Sequence, residues 1–258
     1  MKMFRTALIA AAAAAGLSIG VNSPAFSAGT AAHAPAHHWS FSGLFGTFDR
    51  AALKRGFQVY KSVCAGCHGL RLVAYRNLMD IGFTEDEVKA VAGEYQFMDG
   101  PNDAGEMFER PGKPSDRFKS PFANDEAARA SNNGALPPDL SLIVKARLGG
   151  ADYLHALLTG YREPPAGVQV PEGMHYNEYF PGHNIAMPAP LAEDGVEYAD
   201  GTKATVEQMS QDVTTFLAWA SEPELEERKR IGVKTILFLL LLTGFLYVLK
   251  RRIWADVH

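Results

Sequence analysis

The segment Cys64-Ala65-Gly66-Cys67-His68 holds the only two cysteines in 258 residues. Cys-x-x-Cys-His is the attachment pattern of a c-type haem. Two thiols add across two vinyl groups, the two-residue spacing suits the vinyl separation, and the adjacent histidine is placed under the iron. A structural zinc site wants about four N or S ligands, and no second cysteine pair exists. A thioredoxin-like redox pair has no need of the following histidine. The motif therefore predicts one covalently bound haem c on Cys64 and Cys67, with His68 as a metal ligand. With both cysteines committed, no disulfide remains, so the fold must rely on its core and its cofactor.

The chain ends suggest where such a domain sits. Lys2 and Arg5 precede an apolar run from Ala7 to Val21, followed by small residues at Ser23-Pro24-Ala25 and Ser27-Ala28-Gly29. This reads as a secretory signal peptide over 1–25, with cleavage at about 25–29. Cleavage after Ala25 leaves Ser23 and Ala25 at the small-residue positions, whereas cleavage after Ala28 would put Phe26 there. A first membrane span is the weaker reading, because the run is short and alanine-rich. The second apolar run, Ile231–Leu249, is 19 residues long, about 28 Å as a helix. Its single charge, Lys234, can snorkel. Three basic residues flank it on each side, Arg228–Arg230 and Lys250–Arg252, so charge alone does not orient it. The leader does: a periplasmic domain over 30–227, a transmembrane anchor over 228–252 and a cytoplasmic tail over 253–258.

About 195 residues between leader and anchor suffice for one sizeable core. The formal charge of −4 falls to −6 once Lys2 and Arg5 leave with the leader, which argues against a nucleic-acid partner. The expected fold is mainly α, with long Gly/Pro-rich loops. Asp49 can cap a first helix carrying Leu53, Phe57 and Tyr60 on one face. Thr205-Val206-Glu207-Gln208 has the capping-box pattern and opens a helix with Val206, Met209, Val213, Phe216 and Leu217 on one side, ended by Pro223. Tyr153–Leu158 is a third, short helix. The first and last of these can cross and close a haem pocket.

An electron-carrying haem needs a sixth ligand. Helical Met209 reads as core, and Met79, Met98, Met107 and Met174 have unremarkable settings. Met187 lies in Phe180-Pro181-Gly182-His183-Asn184-Ile185-Ala186-Met187-Pro188-Ala189-Pro190, a loop whose prolines restrict its conformations and lower the entropy cost of holding a thioether on iron. His183 competes in the same loop. A Met/His pair raises a haem's potential.

The chain resembles the cytochrome c1 family, the haem subunits of quinol–cytochrome c oxidoreductases. The resemblance rests on Arg55–Tyr60 leading into the cysteine motif, Ala130–Ser141, Leu158–Pro165, Tyr179–Met187 and Asp212–Arg230. It extends from about Phe41 to Trp254. It implies a cytochrome c-like haem domain with one C-terminal transmembrane helix in the bacterial inner membrane, and Met187 rather than His183 as the second iron ligand. It assigns Arg147 to a haem propionate, a pairing that suits the bidentate guanidinium fork. It puts Pro137 and Pro138 at the proximal side, where a carbonyl can accept from the His68 ring and orient it. The extra disulfide of some bacterial relatives is absent. The resemblance further implies one-electron relay inside a cytochrome bc1 complex, without enzymatic activity of this chain alone. The implied partners are cytochrome b, a Rieske iron–sulfur protein as donor, a soluble or anchored cytochrome c as acceptor, and membrane lipid. A membrane-anchored cytochrome c feeding a terminal oxidase is the alternative, though it leaves the family-specific loops unexplained. A haem peroxidase would want an open distal site. Residues 84–128 carry eleven acidic side chains against five basic ones. That excess reads either as a solvated loop or as a steering surface for a basic acceptor.

Overall fold

A computed structural model describes residues 32–256; the signal peptide expected over 1–25 lies outside them. In chain order the elements are α1 (Arg50–Ser62), a 3₁₀ turn (Cys64–Gly66), a 3₁₀ helix (Tyr75–Ile81), α2 (Glu85–Gly93), β1 (Gln96–Asp99), β2 (Phe108–Pro111), α3 (Asp125–Ser131), α4 (Ile143–Ala146), α5 (Gly150–Thr159), β3 (His175–Tyr176), β4 (Asn184–Ile185), α6 (Val206–Ser221) and α7 (Leu225–Ile253). The strands form two separate antiparallel pairs, β1 with β2 and β3 with β4. The expected mainly helical class is observed.

The two helices expected to pack together do so. Asp49 caps α1 by accepting from the Ala51 and Ala52 amides. Its apolar face, Leu53, Phe57 and Tyr60, is buried. Thr205 caps α6 by accepting from the Gln208 amide. Only half of the expected capping box forms, because the Gln208 side chain bonds Asp212 instead, at 3.0 Å. The helices meet at backbone distance. A Cβ on Gly56 would lie 2.1 Å from the Asp212 carbonyl oxygen and 2.7 Å from Phe216 Cβ, so only glycine permits this approach. Phe216 packs edge-on to Phe57 at 5.8 Å. Tyr75 stacks on Phe118 at 4.6 Å, extending the core toward β1 and β2.

A buried ion pair lies at the same crossing. Arg55 grips the fully buried Asp212 through Nε and Nη2, at 2.9 and 3.0 Å, and reaches Asp200 with Nη1 at 3.0 Å. Two carboxylates on a planar fork satisfy a guanidinium well. They hold the arginine charged, well above its ordinary range.

Helices outside the expected three arise from local chemistry. Thr84 and Glu87 form a reciprocal capping box at the start of α2. Asn124 caps α3 by accepting from the Ala127 amide. The expected short helix at 153–158 spans Gly150–Thr159, because its amphipathic turn begins ahead of Tyr153.

Among the described residues one helix, α7, is long and apolar enough to cross a membrane. Its 29 residues extend about 43 Å. It starts before residue 228, and its first turns bond to the N-terminal segment. Glu226 accepts from the Phe48 amide at 2.7 Å and from Arg50 at 2.7 Å. Lys229 donates to the carbonyls of Phe41 and Gly46.

Candidate haem-binding site

The cysteine motif follows directly from α1. The Val63 amide still bonds back to Val59, and the amides of Cys67 and His68 both turn onto the Cys64 carbonyl, at 3.1 and 2.9 Å. This tight turn leaves Cys64 half-buried and Cys67 exposed. Burial, with Cys67 beside it, pushes the Cys64 thiol up to about 12. A redox-active thiolate carries the opposite shift.

His68 is held by a second segment some 70 positions away. Its Nδ1 lies 2.7 Å from the Pro138 carbonyl oxygen, which makes Nδ1 the protonated nitrogen and leaves the Nε2 lone pair free for a metal. Burial pushes the ring toward its neutral form, against opposing effects from Pro138 and Asp139, and only the neutral ring can ligate. Three more bonds close the two segments together. The Leu140 amide donates to the Gly69 carbonyl at 2.8 Å. The Arg71 amide donates to Asp139 Oδ2 at 3.0 Å. The Leu72 amide donates to Ser141 Oγ at 3.0 Å. From α1, the Tyr60 hydroxyl donates to the His68 carbonyl at 3.0 Å.

Met187 is positioned by other means. Tyr161, at the end of α5, donates its hydroxyl to the Met187 carbonyl at 3.0 Å. Fully buried Asn177 fastens the loop's root. Its amide group donates to the Leu157 carbonyl at 2.8 Å, and its side-chain oxygen accepts from the Tyr179 and Phe180 amides. Gly182, at φ +79°, and His183, at φ +59°, turn the chain back, and β4 brings it to Met187. His183 is otherwise engaged, stacked on Tyr176 with ring centroids 5.5 Å apart and bonded through Nδ1 to the Asn177 carbonyl. Of the other methionines among the described residues, Met209 is buried in α6, while Met79, Met98, Met107 and Met174 are exposed.

Arg147 follows α4 and is exposed, and its guanidinium bonds only the Ala146 carbonyl, at 3.3 Å. Among the described residues it has no carboxylate partner. Leu136, Leu142 and Leu148 are exposed in the same stretch, Leu148 at 98%. Apolar side chains beside one unpaired guanidinium fit a macrocycle that is apolar in its body and anionic at its propionates. Pro137 is half-buried beside exposed Pro138. Hydrogen bonds join Pro138 to His68, whereas Met187 and Arg147 are held by separate segments. The sequence placed Tyr60 on the apolar face of α1 but gave neither it nor Asp139, Ser141, Tyr161 or Asn177 a bonding role at the site. Only their partners in the fold reveal them.

The Cytochrome C1 family profile matches residues 39–257. Cytochrome c1 of Rhodospirillum rubrum is 49% identical over 257 residues, covering 93% of this chain and 94% of that protein. Mitochondrial cytochrome c1 heme protein of Saccharomyces cerevisiae is 54% identical over 226 residues, 87% of this chain and 73% of the relative. The cytochrome b/c1 of Bradyrhizobium diazoefficiens is 52% identical over 246 residues. The match takes in 87% of this chain but only 36% of that longer protein.

Proposed function

Because the chain belongs to the cytochrome c1 family, we propose that it carries one haem c on Cys64 and Cys67, ligated by His68 and Met187, and relays single electrons within a cytochrome bc1 complex. Membership of this family implies an electron-transfer haem subunit. The finer reading is that a Rieske iron–sulfur protein delivers the electron and a soluble or anchored cytochrome c removes it. Cytochrome b is the membrane partner. The leader and the apolar α7 support a haem domain exported to the periplasm, a single-pass anchor and a cytoplasmic C-terminus.

The observation that carries the haem reading is the bond from His68 Nδ1 to the Pro138 carbonyl. It places the proton on Nδ1, leaves the Nε2 lone pair for a metal and raises its basicity as a ligand. Haem, when bound, supplies a one-electron couple. Tyr161 and Asn177 hold the Met187 loop so that its thioether need not be ordered at each oxidation change. Arg147 offers a charge-assisted partner to a propionate. The packed α1–α6 frame supports the cysteine motif, which follows directly from α1.

The test is purification of the membrane complex with its redox spectrum. A covalent haem in this chain, reducible by quinol and co-purifying with cytochrome b, supports the proposal. A haem lost on acid extraction, or a chain purified with an oxidase and without cytochrome b, contradicts it.

A further inference from the structure

Away from the cysteine motif, His37 of the N-terminal segment, His155 of α5 and Glu207 in the first turn of α6 converge. One donor atom from each lies within 4.8 Å of the other two. Ser210 Oγ lies 3.0 Å from His155 Nδ1 and 3.3 Å from the His155 carbonyl oxygen. With the Ser210 proton on that carbonyl, Nδ1 donates to the hydroxyl, and the Nε2 lone pair faces Glu207 Oε1 at 3.0 Å. In that tautomer two acceptors face one another, an arrangement that a bridging cation satisfies.

The third group is held in reach. The His37 ring lies 4.8 Å from the His155 ring and 4.6 Å from the Trp39 ring, centroid to centroid. Asp152 Oδ1 secures this strand by accepting from Trp39 Nε1 at 2.6 Å and from the His37 amide at 3.1 Å. Glu207 is exposed, so an ion can enter from solvent. We infer that His37, His155 and Glu207 form a divalent-cation site of the zinc class, completed by water, that clamps the N-terminal segment to α5 and α6.

Zinc bonds of about 2.0–2.2 Å to nitrogen and oxygen put tetrahedral ligand atoms about 3.3 Å apart. The His155–Glu207 pair is already near that spacing, and His37, on a strand without regular secondary structure, supplies the remaining closure. The hydroxyl bonded to His155 Nδ1 is the outer partner that metal-binding histidines regularly have. Two imidazoles and one carboxylate suit zinc better than calcium or magnesium, which take oxygen ligands.

The test uses the full-length, haem-loaded protein in detergent, in which the cysteines are no longer available as ligands. After chelator treatment, zinc chloride alone is titrated by calorimetry, and thermal unfolding is followed with and without it. The expected result is one saturable equivalent and a rise in Tm. His37→Ala and Glu207→Gln should each weaken binding at least tenfold and abolish the rise, with the haem spectrum unchanged. A His33→Ala/His38→Ala double variant should bind as the parent does. Absence of saturable binding overturns the inference. So does parent-like affinity in His37→Ala or Glu207→Gln, or loss of binding in the His33/His38 variant.

Discussion

His68 and Met187 are positioned by unlike means. His68 sits in a short turn at the end of a core helix. Four hydrogen bonds, from His68, Leu140, Arg71 and Leu72, stitch residues 68–72 to residues 138–141. Met187 sits in an eleven-residue loop, 180–190, with three prolines, and two side chains, Tyr161 and Asn177, suspend it from α5. The proximal side is fixed by four bonds within five residues, one main chain to main chain and the others through the His68, Asp139 and Ser141 side chains, so no single substitution removes them all. The distal side hangs on two side chains. A ligand that must never leave is fastened by several redundant ties, whereas a weaker thioether relies on a stiff loop and a few well-placed bonds.

The largest expected effect erases the contrast. Arg55→Leu leaves Asp212 charged and buried without its partner, which costs about 3–5 kcal/mol. Since α1 and α6 underlie both sides, denaturant unfolding should shift as a single transition with haem exposure on both faces. A change confined to one ligand would show that the crossing is not the common frame.

A smaller effect should appear on the distal side alone. Asn177→Ala strands the Tyr179 and Phe180 amides and weakens the tie to the Leu157 carbonyl, at about 2–3 kcal/mol. Tyr161→Phe removes one bond to the Met187 carbonyl, about 1 kcal/mol. Both variants should let carbon monoxide compete for the reduced iron while covalent haem content and the His68 contribution to the spectrum persist. Equal sensitivity in Tyr60→Phe, which removes the bond to the His68 carbonyl, would abolish the asymmetry.

The acidic segment offers a test outside the iron. Its charges are less free than their number suggests. Arg110 pairs with both Asp99 and Asp116, Lys61 pairs with Glu94, and Lys89 pairs with Glu85. Asp103, Glu106 and Glu109 have no basic partner among the described residues. Neutralising these three should slow electron delivery to a basic cytochrome c by severalfold at low salt and flatten its salt dependence, with the haem spectrum unchanged. An unaltered salt slope would direct attention to Glu193, Asp194, Glu197 and Asp200.

The smallest effect concerns acid. The Thr202 amide and then Arg55 hold the Asp200 carboxyl down at about 2. An unfolded aspartate titrates near 3.9, so the unfolded chain binds the proton first, and stability present above pH 4 is lost as pH falls toward 2. Asp200→Asn should flatten the stability profile in that window by lowering stability above pH 4 while leaving the value near pH 2 little changed. An unchanged slope would show that Arg55 works through Asp212 alone.

Local chemistry was legible in the sequence where it is carried by neighbours in the chain. Asp49, the Cys64–His68 turn and Thr205 each act within five residues, and the apolar run of α7 needs no partner to be read. The capping box of Thr84 and Glu87 was equally readable, but α2 has few apolar positions to draw attention to it. The pairing of Pro138 with His68, of Tyr161 with Met187 and of Arg55 with Asp212 spans 26 to 157 positions. No periodicity encodes these contacts. Gln208 shows the reverse failure: its local pattern promised a capping box, and a buried charge one turn away competed for the amide. His155 was silent for the same reason, since its meaning lies in Ser210, Glu207 and His37.

Carbon monoxide binding to the reduced, full-length Met187→Leu variant tests the ligand pair most directly. The parent and a His183→Leu control should stay six-coordinate and exclude the gas. Met187→Leu should keep its haem covalently attached, bind carbon monoxide and lose the sulfur-to-iron charge-transfer band, with a lowered potential. A Met187→Leu protein that keeps the band and excludes carbon monoxide, or a His183→Leu protein that loses them, would contradict ligation by His68 and Met187.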